Sequence, residues 1–340
     1  MNSTDVAFKC FRVSEKADGD SSRFIGERSE RKLSELPPGD VLIKVHYSSL
    51  NYKDVLSANG NKSVTRQYPH TPGIDAAGTV VNSDIAQFKC GDQVLVTGYD
   101  LGMNTDGGFS EYIRVPATWV LPLPVGLTLH HSMVLGTAGF TAALCVEKLI
   151  QTGLSPDKGE ILVTGATGGV GVIAVALLAK LGYTVTACTG KHNQESFLKD
   201  IGATSIIDRA GLAEPSTRPL LKERWAGAVD VAGGELLWNI LKSLQYGGSV
   251  ACCGLVGAPT LDATVFPFIL RGVNLLGVDS VNLPLEKKGA IWALLASSWA
   301  LPKLETIGTD ITLWELAESL QTILEGRAVG RMILNLSRPN

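Results

Sequence analysis

The chain has 340 residues, of which 45% are hydrophobic and 19% charged, and its formal net charge is -3. This length exceeds one ordinary domain, and a slightly negative chain offers no basic field for nucleic acid, so we exclude nucleic-acid binding. Residues 1–10 lack the basic start and long apolar stretch of a signal peptide, and the apolar stretch 172–181 is too short to span a bilayer. We therefore expect a cytoplasmic protein with no membrane partner.

The first third of the chain contains short strand-like segments separated by glycine and proline turns. We predict strands at 41–49, 76–81, 93–97, 109–115 and 120–122. This pattern is typical of a small, partly closed β-barrel rather than of a parallel sheet.

From residue 128 onward, helical stretches alternate with β-branched strands, as in a doubly wound parallel sheet. We predict a helix over 132–150 and strands at 161–163, 183–187, 205–207, 228–232, 249–253 and 273–278. The alternation then ends with an amphipathic helix over 313–324 and a strand over 330–336, which we expect to return to the first domain. The predicted domains are therefore 1–127 with 300–340, and an α/β Rossmann domain over 128–299.

Residues 160–191 form the most informative segment, because they read as strand, glycine-rich turn, helix and strand. The turn carries Gly165, Gly168, Gly169 and Gly171. Glycines permit the sharp turn, and the N-terminus of the following helix presents free amides to a pyrophosphate. The spacing is G-x-x-G-x-x-G instead of the usual G-x-G-x-x-G, but the second strand arrives where a βαβ unit requires it. We predict dinucleotide contacts at Thr167, Gly168, Gly169 and Val170; the alternative is a turn that only packs strand on helix.

The residues at the end of the second strand of this βαβ unit indicate whether the cofactor is NAD or NADP. An NAD site usually has Asp or Glu about 20 residues after the first glycines, and this chain has none there. Thr189, Gly190 and Lys191 instead offer a hydroxyl, a small residue and a cation suited to a 2′-phosphate. Arg209, just past the third predicted strand, can add a guanidinium fork. We therefore predict NADP(H), with ordinary solvated surface cations as the alternative for both basic residues.

Longer segments carry a resemblance to the medium-chain dehydrogenase/reductase family. They are SSLNYKD at 48–54, PGIDAAGTV at 72–80, GDQVLVTG at 91–98, DGGFSEY at 106–112, LGTAGFTAALCV at 135–146, VTGATGGVG at 163–171, YGGSVACCGL at 246–255, PFILRGVNLLGVDS at 267–280 and GRAVGRMIL at 326–334. These segments most resemble the zinc-independent group of acrylyl-CoA reductases and YhdH/YhfP-type quinone oxidoreductases. The resemblance implies a GroES-like barrel domain completed by the C-terminal strand, a Rossmann domain, and a cofactor in the cleft between them.

The sequence argues against a metal. Zinc-dependent members of the family use a cysteine of the first domain, a histidine followed by glutamate, and a later cysteine. This chain has Ile74 and Asp75 at the histidine–glutamate position and no cysteine in 48–54. Its six cysteines show no C-x-x-C spacing, and the adjacent pair His130 and His131 would point in different directions on a helix. We therefore expect no metal site, no disulfide framework, and metal-free hydride transfer.

Without zinc to polarise a carbonyl, conjugate reduction of an activated C=C bond remains accessible, because amide or hydroxyl donors can stabilise the enolate. The resemblance implies that residues 51–54 face the nicotinamide. Asn51 would donate to the substrate carbonyl, and Tyr52 would contact the nicotinamide or relay a proton. Asp54 is the third catalytic candidate. The alternatives are a packing role for Tyr52 and a helix cap for Asp54. We expect Asp75 to be a buried structural carboxylate rather than a base.

The other expected cofactor contacts follow from the fold and the resemblance. Leu255 and Ser280 follow predicted strands of the parallel sheet, where backbone groups can hold the carboxamide of the nicotinamide. Thr137 would place its hydroxyl near the ring; the alternative is a helix of small residues that packs closely on the sheet.

Four cations are candidates for the phosphates of a coenzyme A thioester: Lys53, Lys62, Arg66 and Arg271. Ordinary surface cations are the alternative. A short enoyl-CoA such as acrylyl-CoA is the leading small-molecule substrate. The other possibilities are a quinone or small-enone reductase and a non-enzymatic NADPH-binding protein. Strand 273–278 is expected to pair across a homodimer, because an uncovered apolar edge strand favours pairing.

Overall fold

The computed structural model describes residues 6–16 and 23–338. The strands in chain order are β1 Ala7–Glu15, β2 Phe24–Lys32, β3 Val41–Ser49, β4 Asp75–Ser83, β5 Gln93–Thr97, β6 Tyr112–Val115, β7 Leu121–Pro122, β8 Glu160–Val163, β9 Thr184–Thr189, β10 Ser205–Asp208, β11 Trp225–Asp230, β12 Leu244–Cys252, β13 Asn274–Gly277, β14 Gly308–Ile311 and β15 Arg331–Asn335. The α-helices are α1 Tyr52–Ala58, α2 Leu129–Gln151, α3 Gly169–Lys180, α4 Glu195–Asp200, α5 Arg209–Leu212, α6 Gly234–Ser243, α7 Phe266–Arg271, α8 Leu285–Ala296, α9 Leu304–Ile307 and α10 Leu316–Leu324.

The chain divides into two compact units. Unit 1 contains the described residues up to Thr137, Val281–Ala296 and the described residues from Leu304 onward, and unit 2 contains Ala138–Ser280 and Ser297–Lys303. The first division lies after Thr137, next to the break of α2 at Gly136 (φ 52°, ψ -160°), whereas the sequence predicted a boundary near residue 127. The chain also returns to unit 1 at Val281, before the expected position of 300.

Unit 1 is built around a seven-stranded sheet in which β3 pairs antiparallel with β4, β6 and β15. Its apolar side chains form a buried core that includes Val41, Val94 and Phe109. The C-terminal strand enters this sheet with Ile333 opposite Ser49. The expected return of the final strand to the first domain is therefore confirmed, and with it the GroES-like class of this unit.

Unit 2 contains a six-stranded parallel sheet in the order β10-β9-β8-β11-β12-β13. The first strand lies in the middle, the next two extend to one side, and the last three extend to the other. This is the doubly wound dinucleotide-binding order, and it confirms the predicted Rossmann class. A cluster around Trp225, Trp238 and Val250 fills one of its cores.

The sequence pattern missed some strands of unit 1. β1 and β2 pair antiparallel over their full lengths, but β2 reads FIGERSERK and lacks the apolar alternation of a half-buried strand. β14 has only four residues and is defined by its parallel pairing with β15. Both were missed because their pairing with a neighbouring strand, and not their own residue pattern, defines them.

Helix α2 is long and apolar enough, by length and composition alone, to cross a membrane. However, 78% of its most apolar window is buried inside the protein. This burial is typical of the core helix of a soluble protein.

Candidate active site

The glycine-rich turn of unit 2 connects β8 to α3. Gly165 adopts a positive φ of 54°, and its carbonyl accepts a hydrogen bond from Gly168 N at 2.8 Å. A methyl group on Gly171 would overlap the Gly165 carbonyl oxygen, so glycine is required where the helix packs on the turn. Gly168, the residue before α3, has no side chain with which to cap the first amides of the helix. The turn thus leaves the amide end of a twelve-residue helix for an anion.

A hydroxyl and two cations lie beside this turn, at the ends of β9 and β10. The hydroxyls of Thr167 and Thr189 are 3.4 Å apart, and Thr189 Oγ1 accepts a hydrogen bond from Lys191 N at 3.0 Å. A methyl group on Gly190 would lie 3.3 Å from Arg209 Nη2, so the guanidinium packs against this residue because it has no side chain. Burial, and then the neighbouring Arg209 charge, lower the pKa of Lys191. Two adjacent cations of this kind favour a doubly charged anion such as a phosphate.

Leu255 and Ser280, the two cofactor contacts expected at the ends of strands β12 and β13, have different surroundings. Leu255 is 59% exposed in the turn after β12. The Ser280 hydroxyl accepts a hydrogen bond from Thr141 Oγ1 at 2.8 Å. The sequence analysis missed Asp230, a fully buried carboxylate that accepts hydrogen bonds from Thr164 Oγ1 at 2.7 Å and Gly233 N at 2.8 Å. Asp230 therefore fixes the turn after β11, and burial raises its pKa.

In unit 1, the carboxylate of Asp75 is the centre of a buried polar network. It accepts hydrogen bonds from Ser49 Oγ (2.5 Å), Asn51 Nδ2 (2.8 Å), Thr137 N (2.9 Å) and Thr137 Oγ1 (2.6 Å). Asp75 is fully buried. Asp75 is thus a structural carboxylate, which agrees with the expectation from the sequence. Its partners are polar groups that come from distant segments of the chain.

The Asn51 amide is held from both sides. Its Nδ2 donates to Asp75 Oδ2 and, at 3.1 Å, to Ser49 O, while its Oδ1 accepts from Arg331 Nη2 at 3.3 Å. Both hydrogens of this amide are therefore occupied, and its donor to a substrate carbonyl is not available in this arrangement. Asn51 therefore connects the start of α1 to Asp75 and Arg331 through hydrogen bonds.

Arg331 is a site residue that the sequence analysis did not single out. It is 3% exposed and also donates to the carbonyls of Val134 and Leu50, both at 3.1 Å. Burial lowers its pKa, and the nearby Asp75 and Asp54 carboxylates oppose that shift. The sequence does contain an indication of this residue, because Arg331 is a charged residue at the start of the otherwise apolar segment RMIL at 331–334.

Asp54 is buried and its two oxygens face backbone amides. They accept from Asn51 N at 2.8 Å, Gly73 N at 3.1 Å and Ile74 N at 2.9 Å. Burial, followed by the charge of Asp75, raises the pKa of Asp54 to about 7, and the three amides oppose the rise. The helix-cap interpretation describes this carboxylate, because its oxygens are engaged by the backbone. Asp54 is therefore better described as a support of the start of α1 than as a substrate contact.

Thr137 is likewise engaged through its hydroxyl, whose hydrogen goes to Asp75 and not toward a ligand. Its expected contact with the nicotinamide would therefore have to use the hydroxyl as an acceptor. Tyr52, by contrast, is 38% exposed at the first position of α1. Of the residues expected at the reacting centre, Tyr52 presents the most accessible side chain.

The four candidate substrate cations differ in their surroundings. Arg271 donates to the carbonyls of Lys242 (2.8 Å) and Leu221 (2.7 Å), so its guanidinium ties backbone segments of unit 2 together. These bonds compete with the expected phosphate contact of Arg271. In unit 1, Lys62 pairs with Glu15 at 3.3 Å and is exposed. Lys53 is half-buried on α1, and Arg66 is exposed.

The position of the expected metal motif is occupied by groups that do not suit zinc. Ile74 is an apolar side chain, and the Asp75 carboxylate is already taken by the donors described above. Within the described residues, no three His, Cys, Asp or Glu side chains are grouped as metal ligands. His130 pairs with Asp310 at 2.7 Å and His131 with Glu305 at 2.8 Å. The donor set does not fit a catalytic zinc site.

The chain is similar to known proteins over nearly its whole length. Residues 37–125 match the alcohol dehydrogenase GroES-like domain family, and 169–297 match the zinc-binding dehydrogenase family. The putative quinone oxidoreductase YhfP of Bacillus subtilis is 50% identical over 89% of this chain and 92% of its own. The structure of yhfP with NAD bound has a TM-score of 0.93 at 46% identity and covers 97% of this chain and 100% of that one.

Two further relatives are also similar to this chain over nearly its whole length. The acrylyl-CoA reductase AcuI of Ruegeria pomeroyi is 44% identical over 94% of this chain and 97% of its own. The yhdH oxidoreductase of Salmonella enterica, solved in complex with NADP, is 42% identical with a TM-score of 0.92, covering 96% of this chain and 99% of that one. The chain therefore belongs to the medium-chain dehydrogenase/reductase family. Within the family it groups with the acrylyl-CoA reductases and YhdH/YhfP-type oxidoreductases, which confirms the resemblance seen in the sequence.

Proposed function

We propose that this chain is an NADPH-dependent, metal-free reductase of activated C=C bonds, with a short enoyl-CoA such as acrylyl-CoA as its substrate. The observation that carries the proposal is the pair Lys191 and Arg209 beside Thr189 and Gly190, next to a glycine-rich helix start. The relative named acrylyl-CoA reductase, at 44% identity, supports the substrate class.

The residues of unit 2 fit the phosphorylated dinucleotide. The amides at the start of α3 would hold the pyrophosphate, and Thr189, Gly190, Lys191 and Arg209 would hold the 2′-phosphate. When bound, the cofactor supplies the hydride. One relative was solved with NADP and another with NAD. The relatives therefore do not decide between the two cofactors, and we choose NADP(H) because of the cations Lys191 and Arg209.

The residues of unit 1 would bind and orient the substrate. Addition to the β-carbon leaves negative charge on the thioester oxygen. This charge needs a hydrogen-bond donor, because the part of the chain that the structure describes offers no metal ligand set. We assign that contact to the exposed Tyr52 hydroxyl. Asn51 and Thr137 act as positioning residues, since their amide and hydroxyl hydrogens are spent on Asp75. Their bonds fix the start of α1, and so the position of Tyr52.

The phosphates of coenzyme A are assigned to Lys53, Lys62 and Arg66, while Arg271 is omitted because it holds backbone carbonyls. The exposed pair of Lys62 with Glu15 does not exclude this role, since surface pairs of this kind contribute little to stability.

The test is NADPH oxidation measured side by side with acrylyl-CoA, crotonyl-CoA and a simple quinone. We expect the highest kcat/KM with acrylyl-CoA. Faster turnover of the quinone would replace the proposal by the second candidate, quinone reduction, which the relative at 50% identity favours. Tight NADPH binding with no turnover of any acceptor would indicate a non-enzymatic binding protein.

A matched pair of substrates tests the phosphate contacts separately. Replacing Lys62 and Arg66 by alanine should raise KM for acrylyl-CoA but leave KM for methyl vinyl ketone unchanged, because the small enone carries no phosphate. An equal change for both substrates would contradict the assigned coenzyme A contacts.

We further propose a cytoplasmic homodimer. Among the described strands, β13 pairs only with β12, so it is an edge of the unit 2 sheet. Leu275 on this strand is 38% exposed, and Ile269 and Leu270 nearby in sequence are 69% and 55% exposed. An apolar edge favours pairing with a second copy. Sedimentation of the wild type and of Leu275→Lys tests this: a monomeric wild type would overturn it.

A further inference from the structure

Three of the four cysteines of unit 2 lie in helix α2 or at the end of strand β12; the fourth, Cys188, lies in β9. Cys145 lies in α2, Cys252 ends β12, and Cys253 follows it directly. All three are free thiols; Cys145 is buried, and the other two are partly exposed. None of them has a role in the function proposed above.

The strand geometry separates the two consecutive cysteines. The Cys252 side chain packs against the core cluster that contains Val250 and Trp238. Cys253 continues the parallel pairing, because its N–H donates to Asp230 O at 3.0 Å. Successive side chains of a strand point to opposite faces, so Cys253 faces away from that cluster.

Helix α2 places Cys145 at the same end of the sheet. Thr141 donates to Ser280 at 2.8 Å, and Lys148 Nζ donates to Gly277 O at 2.5 Å. Gly277 is in turn the register partner of Cys252. Cys145 is four residues after Thr141 and three before Lys148, so the three share one helix face. This face therefore presents Cys145 to the end of β12.

Cys145 and Cys253 are neighbouring thiols. Cys253, followed by burial, raises the pKa of Cys145 well above its ordinary value, while the Cys253 thiol itself donates to Asp230 O at 3.5 Å. Cys145 thus keeps its proton, and Cys253 is the partner reached by solvent.

We propose that Cys145 and Cys253 form a reversible disulfide when the protein meets a hydroperoxide. The Cys253 sulfur attacks a peroxide oxygen: an S–O bond forms, the O–O bond breaks, and the first water leaves with the thiol proton. The Cys145 sulfur then attacks the Cys253 sulfenic acid: the S–S bond forms, the S–O bond breaks, and a second water leaves. The two thiols lose two electrons, and hydrogen peroxide is reduced to two waters.

The disulfide has a consequence for the turn that follows Cys253. This turn contains Leu255, one of the expected cofactor contacts, and the new bond would tie it to α2. We expect weaker NADPH binding in the oxidised protein, restored by dithiothreitol. This consequence rests on the proposed function, whereas formation of the disulfide does not.

The full-length protein is treated with hydrogen peroxide, quenched with catalase, alkylated and mapped by peptide mass spectrometry without reduction. We expect a peptide linked through Cys145 and Cys253 that dithiothreitol removes. Replacing Cys252 by serine is the matched control and should leave the link intact, while Cys253→Ser should abolish it. Cys145→Ala is the second variant, with circular dichroism as the check of its fold.

Oxidation of the exposed Cys90 serves as the control that shows that the oxidant was active. Oxidation of Cys90 without the Cys145–Cys253 link, or a link made through Cys252, would overturn the proposal. The mass readout needs no cofactor, so failure of the disulfide is distinguishable from failure of the proposed reductase function.

Discussion

Thr137 donates two hydrogen bonds to the single carboxylate of Asp75, one from its backbone N–H at 2.9 Å and one from its hydroxyl at 2.6 Å. Because α2 breaks at Gly136, a new helical segment begins at Thr137, and Asp75 serves as its cap. The same carboxylate binds Ser49 and Asn51. One buried acid therefore fixes the helix break and the start of α1 together.

Replacing Gly136 by alanine should destabilise the protein strongly. The added methyl would overlap Ser49 Oγ and lie 2.7 Å from Asp75 Oδ2, at a φ/ψ combination that side chains avoid. We expect a loss of about 3 kcal/mol in the free energy of unfolding, measured by urea denaturation. Gly153→Ala is the control, since its φ is also positive (88°) but its surroundings are open; it should lose only about 1 kcal/mol. Equal losses would contradict the steric argument.

Replacing Asp75 by asparagine should damage both stability and turnover. An amide NH₂ would face donors that now point at a carboxylate oxygen, so we expect a loss of about 3 kcal/mol and a lower kcat as Asn51 and Thr137 move. Denaturation and steady-state kinetics measure the two effects. The exposed Asp262→Asn should change neither. Unchanged kcat in Asp75→Asn would show that the network does not position the reacting groups.

Asp54 should make stability fall as pH rises. Its pKa is about 7 in the folded protein against 3.8 in the unfolded chain, so the folded state binds its proton more tightly. The stabilisation is complete below about pH 4 and is lost as pH rises through about 7, at about 1.4 kcal/mol per pH unit at most. Urea denaturation from pH 4 to 8 should show this slope in the wild type and a smaller one in Asp54→Asn. A slope that Asp54→Asn leaves intact must come from another group.

The two cations of unit 2 should set the cofactor preference. Replacing Lys191 or Arg209 by alanine removes a charge-assisted hydrogen bond of about 1.5–3 kcal/mol, which corresponds to about ten- to a hundredfold in Kd for NADPH. Affinity for NADH should hardly change, because it lacks the 2′-phosphate. Calorimetry with both dinucleotides measures the difference, and Lys180→Ala, an exposed lysine at the end of α3, is the control. Equal binding of NADH and NADPH by the wild type would refute the assignment.

Chelation should leave activity unchanged. Ile74 supplies no ligand, and the Asp75 carboxylate is occupied by protein donors, so turnover should not depend on a bound metal. The measurement is NADPH oxidation before and after dialysis against EDTA. Inactivation that added zinc reverses would contradict the metal-free mechanism.

The sequence predicted the parallel sheet of unit 2 well, because glycine spacing and alternating helices and strands are local signals. It predicted unit 1 less completely. The strands β1, β2 and β14 are defined by their pairing with a neighbouring strand along the chain, which the residue pattern of each segment does not show. The expected contacts of Asn51 and Asp54 with substrate also changed, because pattern alone does not show which side-chain atoms are already hydrogen-bonded.

The sequence by itself determined the family, the dinucleotide turn at 165–171, and the absence of the family's zinc ligands at Ile74 and Asp75. These features are carried by residue types at fixed short spacings. Only the tertiary structure decided that Asn51, Asp75 and Arg331 share one buried network. They come from distant parts of the chain, and a hydrogen bond depends on distance through space, which no periodicity records.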